Sequence, residues 1–265
     1  MAGPGQWWKD PLSQDIHNML RVKEKNIPTY YGLSPHIFSR TFLVDWLAII
    51  REKLNIQQTT YHLAVHLLDY YMEGVFDLKY SQLHLAALTC LTIAAKIEEC
   101  CDHVPGVEVL NSFIPPPMKP GLPSFYHKSE FLEMELAILN FFRWNVIKPT
   151  TAHFVPYYSS SCVAPGDLYE GIPIQSTEAM TLYVNNYADY FKDISLQYHM
   201  FRSYSPSMVG ASCIAASRVC LQLTPTWPAR LDTLTEYCLE ELLPCVHAML
   251  RIHDKDLKGG SRKTP

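Results

Sequence analysis

Lys96 and Glu135 are the residues whose type and surroundings most invite a chemical role. On a helix, Glu135 shares a face with Phe131, Ile138, Leu139 and Phe142, its neighbours three, four and seven residues away. A carboxylate in such an apolar stripe needs a partner, because burying it bare is costly. Lys96 ends an apolar run, where a cation also complements the partial negative charge of a helix C-terminus. Residue type alone suits ion pairing and hydrogen bonding here, with the charges solvated or paired internally. Bond-making chemistry is another matter. The eleven histidines are scattered, and no nucleophile elbow, phosphate-cradling loop or catalytic spacing of acids stands out. Cys100-Cys101 with His103 raises the question of a metal, but adjacent cysteines chelate poorly and no second pair supplies the remaining ligands. No catalytic residue, metal or cofactor is expected.

Helices must position the pair. Ser34-Pro35 reads as an N-cap followed by proline in the first turn, ahead of Phe38, Phe42, Leu43, Trp46, Leu47 and Ile50 at helical spacing. Thr59 is the expected cap of a second helix that Gly74 stops. Ser81 opens a third, ending near Lys96. Leu83 to Ala95 is apolar or small on every face, which predicts a hub helix enclosed by others. Pro105 to Pro123, with Pro115-Pro116-Pro117 and Pro120-Gly121, reads as an exposed loop, and His127 to Phe142 as the next helix. Lys148-Pro149-Thr150 reads as a linker. Beyond it Ser205-Pro206 repeats the cap-and-proline device, and Met208 to Ala216 matches Leu85 to Ile93 in the placing of small residues and cysteine. Two hub helices in one chain point to a duplicated helical unit. Convincing strand alternation is absent.

Composition narrows the function classes. Hydrophobic residues make up 48% of the 265 and charged residues 18%, which excludes a solvated, disordered chain and leaves apolar surface for a partner. A net charge of −4, with no basic stripe, argues against nucleic acid. The N-terminus carries no signal-like apolar run, and most cysteines sit in apolar helical stretches, so an intracellular chain with free thiols is expected. The apolar run at Leu83 to Ala95 is interrupted by His84 and too short for a bilayer, so no membrane is expected.

Four segments resemble a known family. Arg40-Thr41-Phe42-Leu43-Val44-Asp45-Trp46-Leu47 resembles the first helix of the cyclin box, and Tyr61 to Asp69 its second. Leu91 to Glu99 is similar to the end of the third helix; Met134-Glu135-Leu136 with Leu139 and Phe142 to Val146 is similar to the fifth. Four motifs in order make a specific signal where one would be weak. Trp7-Trp8, Asp15-Ile16-His17, Lys23-Glu24 and Pro225-Thr226-Trp227-Pro228 extend the resemblance toward the J-type cyclins, over nearly the whole chain.

The resemblance implies an all-α fold of two tandem five-helix cyclin-box repeats. Its expected divisions are an extension over 1–33, a first box over 34–148, a second repeat over 149–257 and a tail over 258–265. It implies a regulatory subunit that binds and activates a cyclin-dependent protein kinase, in the nucleus or cytoplasm. The alternative is a transcription-factor core of the initiation-factor-B kind, a scaffold without kinase activation. In the family, the matching Lys and Glu hydrogen-bond main-chain groups flanking the kinase's regulatory helix, which assigns that role to Lys96 and Glu135. Ile97, Leu139, Trp144 and Val146 match positions lining the groove for that helix. Phe42, Leu43 and Trp46 match a patch that takes Arg-x-Leu segments of substrates or inhibitors, with Trp46 expected to present more surface than Phe42. Ser39, Ile49 and His84 stand where a Met, an acid and a Gln are usual. With residues 1–33 so short, the long tail carrying destruction signals in mitotic cyclins is expected to be missing.

Overall fold

The computed structural model describes residues 11–116 and 123–259. Trp7-Trp8, part of the proline-rich segment and the end of the tail lie outside the described residues. The chain divides into two compact units, residues 30–148 and residues 1–29 with 149–265.

The first unit holds α2 (Ile37–Leu54), α3 (Gln58–Gly74), α4 (Leu83–Glu98), α5 (Val107–Asn111) and α6 (Lys128–Phe141). α4 packs against α3, α6 and α2, and Leu83, Leu85 to Leu91, Ile93, Ala94 and Ala95 are buried around its circumference. Every residue from Thr60 to Met72 of α3 is also buried, so the unit has a second enclosed helix beside the expected hub.

Two expected caps are corrected. α2 begins at Ile37, past a turn, because the Ser34 hydroxyl donates to the Met72 carbonyl at 2.8 Å and accepts from His36 N at 3.1 Å. α3 begins at Gln58, so Thr59 is already helical. Its N-terminus is served from a distance by Glu99, whose carboxylate accepts from Gln57 N at 2.7 Å and from the Thr60 hydroxyl at 2.6 Å. An acid there also meets the positive end of the helix dipole. The same contact ties the end of α4 to the start of α3, steadying the turn that presents Lys96.

The second unit holds α7 (Thr151–Ser159), α8 (Thr177–Gln197), α9 (Pro206–Cys220), α10 (Ala229–Thr235) and α11 (Leu239–Gly259). α9 is its hub, packed by α8, α7 and α11. Ser205 caps it as expected, its hydroxyl accepting from Met208 N at 3.3 Å. Cys213 in α9 and Cys90 in α4 are both fully buried, the matching small apolar position of each hub.

α1 (Ser13–Glu24) belongs with this unit too. His17 stacks on Tyr157 at 4.8 Å and its Nε2 lies 3.1 Å from the Tyr158 hydroxyl. Glu24 accepts from Ser207 N at 3.0 Å and from the Ser207 hydroxyl at 2.6 Å. The His17 and Lys23-Glu24 motifs are therefore, at least for His17 and Glu24, docking contacts on α7 and α9.

Three two-residue strands accompany the helices of the second unit. β1 (Leu168–Tyr169) pairs antiparallel with β2 (Ile172–Pro173) and β3 (Leu223–Thr224), in the order β2-β1-β3. Strands of two residues cannot show alternation. Glu170 and Gly171 between β1 and β2 are both left-handed, as a tight hairpin requires.

Beside this sheet Asp167 is buried between two guanidiniums, Arg218 at 2.8 Å and Arg230 at 2.5 Å. Burial pushes its pKa up, but the bonds from Arg230 and Arg218 outweigh that and hold it below the ordinary value of 3.8. A depressed folded pKa adds stability that is full above the unfolded value and is lost as pH falls through the folded one. Unfolding free energy measured by denaturant titration is therefore expected to decline below about pH 4, with a shallower decline in D167N. Equal slopes in the two proteins would refute the assignment.

Candidate functional site: an ion pair within exposed apolar surface

Lys96 and Glu135 meet. Nζ of Lys96 lies 2.5 Å from Oε1 of Glu135, joining the last turn of α4 to the middle of α6. The lysine side chain is 48% exposed and the carboxylate 17%, so the pair sits at the surface with its acid the more sheltered partner. Phe131 and Ile138 are buried, and Leu139 and Phe142 half-buried, which leaves Glu135 on the margin of the apolar stripe.

Around the pair the surface is apolar. Ile97 follows Lys96 and, like Leu139, is half-buried. Leu132 and Leu136 are exposed, and their spacing puts them on the side of α6 that carries Glu135 and Leu139. These two leucines add to the expected groove residues; their i, i+4, i+7 spacing with Leu139 was the signal that could have found them.

After α6 the chain takes an unusual turn. Arg143 and Trp144 both adopt left-handed φ values, 50° and 63°, and Trp144 N donates to the Leu139 carbonyl at 2.8 Å. Left-handed backbone costs a non-glycine residue about 1–2 kcal/mol. Trp144, at the end of this turn, is 64% exposed. Val146 differs from the other expected groove residues, because it is buried and offers little surface.

The Phe42, Leu43 and Trp46 set is split. Leu43 and Trp46 are 1% and 8% exposed, and the Trp46 indole N–H donates to the Phe113 carbonyl at 3.0 Å. Phe42 is exposed. The expected order of exposure is thus reversed: α2 turns the tryptophan inward, where a carbonyl satisfies its one donor, and leaves the phenylalanine outside. His84 bridges the two, edge-on to Trp46 at 4.9 Å and to Phe42 at 5.9 Å. Burial lowers its pKa.

Missed entirely from the sequence was the partnership of two motif residues. Arg40 and Asp69 form a bidentate pair, Nε to Oδ1 at 2.6 Å and Nη2 to Oδ2 at 2.9 Å, with side chains 1% and 0% exposed. It fastens α2 to α3 within the first unit. Nothing in either segment's periodicity points to the other, 29 residues away.

Cys100 and Cys101 are exposed, and among the described residues no group of three His, Cys, Asp or Glu is placed to hold a metal. No helix among them is long and apolar enough to cross a membrane.

Residues 15–147 match the family described as Cyclin, N-terminal domain, and residues 149–264 that described as Cyclin, C-terminal domain. The chain is 43% identical to Cyclin-J of Xenopus laevis over 258 residues, covering 97% of this chain and 66% of that protein. It is 41% identical to Cyclin-J of Homo sapiens over 259 residues, covering 98% and 66%. It therefore spans about two thirds of the length of these relatives. Its fold is similar to that of a viral cyclin from herpesvirus saimiri, with a TM-score of 0.67 at 16% identity over 88% of this chain and 94% of that one. With both halves matched and the repeats formed around two hub helices, the chain belongs to the cyclin family.

Proposed function

We propose that the chain is a non-catalytic regulatory subunit that binds and activates a cyclin-dependent protein kinase. The supporting observation is the Lys96–Glu135 pair set among the exposed Leu132, Leu136 and Trp144 in a chain of this family. Charges that bond main-chain groups, ringed by apolar side chains, suit the docking of a helix whose ends supply unpaired N–H and C=O groups. The regulatory helix of such a kinase carries a Glu that must pair with the catalytic Lys before phosphoryl transfer. A surface that binds only the inward position of that helix shifts the population toward the active state. The chain's part is binding energy and shape. Affinity purification from cells followed by a kinase assay tests this. A kinase recovered in stoichiometric amount and active only with the chain supports it; no kinase, or one equally active without the chain, sinks it.

Peptide recruitment through Phe42, Leu43 and Trp46 is expected to be weak. Leu43 and Trp46 are buried, Ser39 and Ile49 replace the usual Met and acid, and Ile49 is exposed where a carboxylate would meet the peptide's arginine. That charge-assisted contact is worth about 1.5–3 kcal/mol. Calorimetric titration with an Arg-x-Leu peptide should give weak or no binding, strengthened by Ile49→Glu. Low-micromolar binding by the unaltered chain, roughly −8 kcal/mol, would overturn this expectation.

A further inference from the structure

A cleft of about 660 Å³ opens in the first unit between the end of α3, the segment leading to α4, and α6. Its size falls within the range of ligand sites. Leu85 and Met134 give it an apolar wall, and Tyr71 and Tyr126 contribute rings. Three carboxylates line it, Asp77, Glu130 and Glu133, and among the described residues no Lys or Arg does. Glu130 is partly engaged, accepting from His127 N at 2.7 Å. Asp77 and Glu133 are exposed and hold no hydrogen bond or ion pair among the described residues.

An independent observation concerns Tyr71. It is 5% exposed and lines the cleft, yet its hydroxyl has no hydrogen-bond partner among the described residues. The neighbouring Tyr126 hydroxyl, by contrast, donates to the Ser81 carbonyl at 2.9 Å. The side chain is buried but its oxygen is not sealed from solvent, so it is open to a hydrogen bond from a ligand in the cleft. Burial raises its pKa, with Cys90 and Asp77 adding to the effect, so the oxygen stays neutral and is available to accept an N–H.

Helical geometry separates this cleft from the ion pair. At 100° per residue, Glu130, Glu133 and Met134 lie on the opposite side of α6 from Leu132, Glu135 and Leu139. Phe76, Tyr80 and Phe125, neighbours in sequence of the lining residues, are large exposed aromatics. Exposed rings beside a charged cleft fit a protein segment better than a free metabolite.

We propose that the cleft is a docking site for an arginine side chain of a partner protein segment. The guanidinium is planar and multiply donating, matched by the free carboxylates of Asp77 and Glu133 and by the Tyr71 oxygen. Binding here is independent of kinase docking, because it uses the other side of α6.

The test is methyl-resolved NMR titration of the full chain with Nα-acetyl-arginine N-methylamide, its citrulline analogue and spermidine. The arginine compound is expected to give saturable shifts at Met134, Leu85 and Ala137. Citrulline should bind about tenfold more weakly, as should arginine to the D77N/E133Q variant, the scale of losing charge-assisted contacts at a partly solvated site. Tyr71→Phe should weaken it severalfold while leaving the fold, read from the remaining methyl signals, unchanged. Shifts that do not saturate, that are equal for citrulline, or that persist in D77N/E133Q overturn the proposal. So does tighter saturation by spermidine than by arginine, which would assign the cleft to a free polyamine.

Discussion

Replacing Lys96 and Glu135 together by alanine is expected to lower kinase binding by about 100-fold or more, with little change in folding. The two expectations follow from one geometry. The pair is 2.5 Å apart but largely solvated on the lysine side, at 48% exposure. A surface pair of this kind contributes up to about 1 kcal/mol to folding. In a chain of this size that moves the melting temperature by about 2–4 °C. Toward a kinase helix the same groups are desolvated when the apolar surface closes over them, and each lost charge-assisted bond then costs about 1.5–3 kcal/mol. Co-purification at unaltered levels would show that the docking surface lies elsewhere. A fall in melting temperature on the order of 10 °C would instead make the pair structural. Leu132→Ala with Leu136→Ala gives a second reading: both side chains are exposed, so binding should weaken while the melting temperature holds.

How far the site could be read beforehand depended on the range of the interactions. The Ser205 cap acts on Met208 N, three residues on, and local sequence was enough to find it. So were the enclosed helices α4 and α9, because burial on all faces leaves a composition without a polar side. The cap of α3 was out of reach, since Glu99 comes from 42 residues away and resembles any helix-terminal acid. The same is true of α1, whose contacts with Ser207 and Tyr158 span more than a hundred residues of sequence. Within the site, the family pattern located Lys96 and Glu135, and apolar spacing could have supplied Leu132 and Leu136. The inward turn of Trp46 depends on the Phe113 carbonyl in a segment with no periodicity. The turn that ends at Trp144 rests on two left-handed residues, neither of them glycine, the residue that usually signals such a turn.

Asp69→Ala is expected to destabilise the first unit by about 3–5 kcal/mol, the cost of leaving a buried charge without its partner. Arg40 is 1% exposed and donates two bonds to Asp69, at 2.6 and 2.9 Å. Burial alone would lower the pKa of the guanidinium, but the attraction and hydrogen bonds of Asp69 outweigh it and raise the value. Arginine stays protonated at any pH at which the protein folds, so removing the carboxylate strands a cation that cannot escape by losing its proton. Arg40→Ala strands the carboxylate instead and adds a cavity where one of the largest fully buried side chains stood. A buried pair exchanged for apolar groups of similar volume is often neutral or stabilising. The double variant R40M/D69L should therefore recover at least half of either single loss, because each change removes the charge the other leaves exposed. Thermal and urea unfolding of the three variants decide it. If the double variant is as unstable as the singles combined, the pair has no special coupling and α2 is held to α3 by apolar packing. If it recovers stability yet loses kinase binding while Lys96 and Glu135 are intact, the pair's function is to set where α3, and through Glu99 the end of α4, carries Lys96.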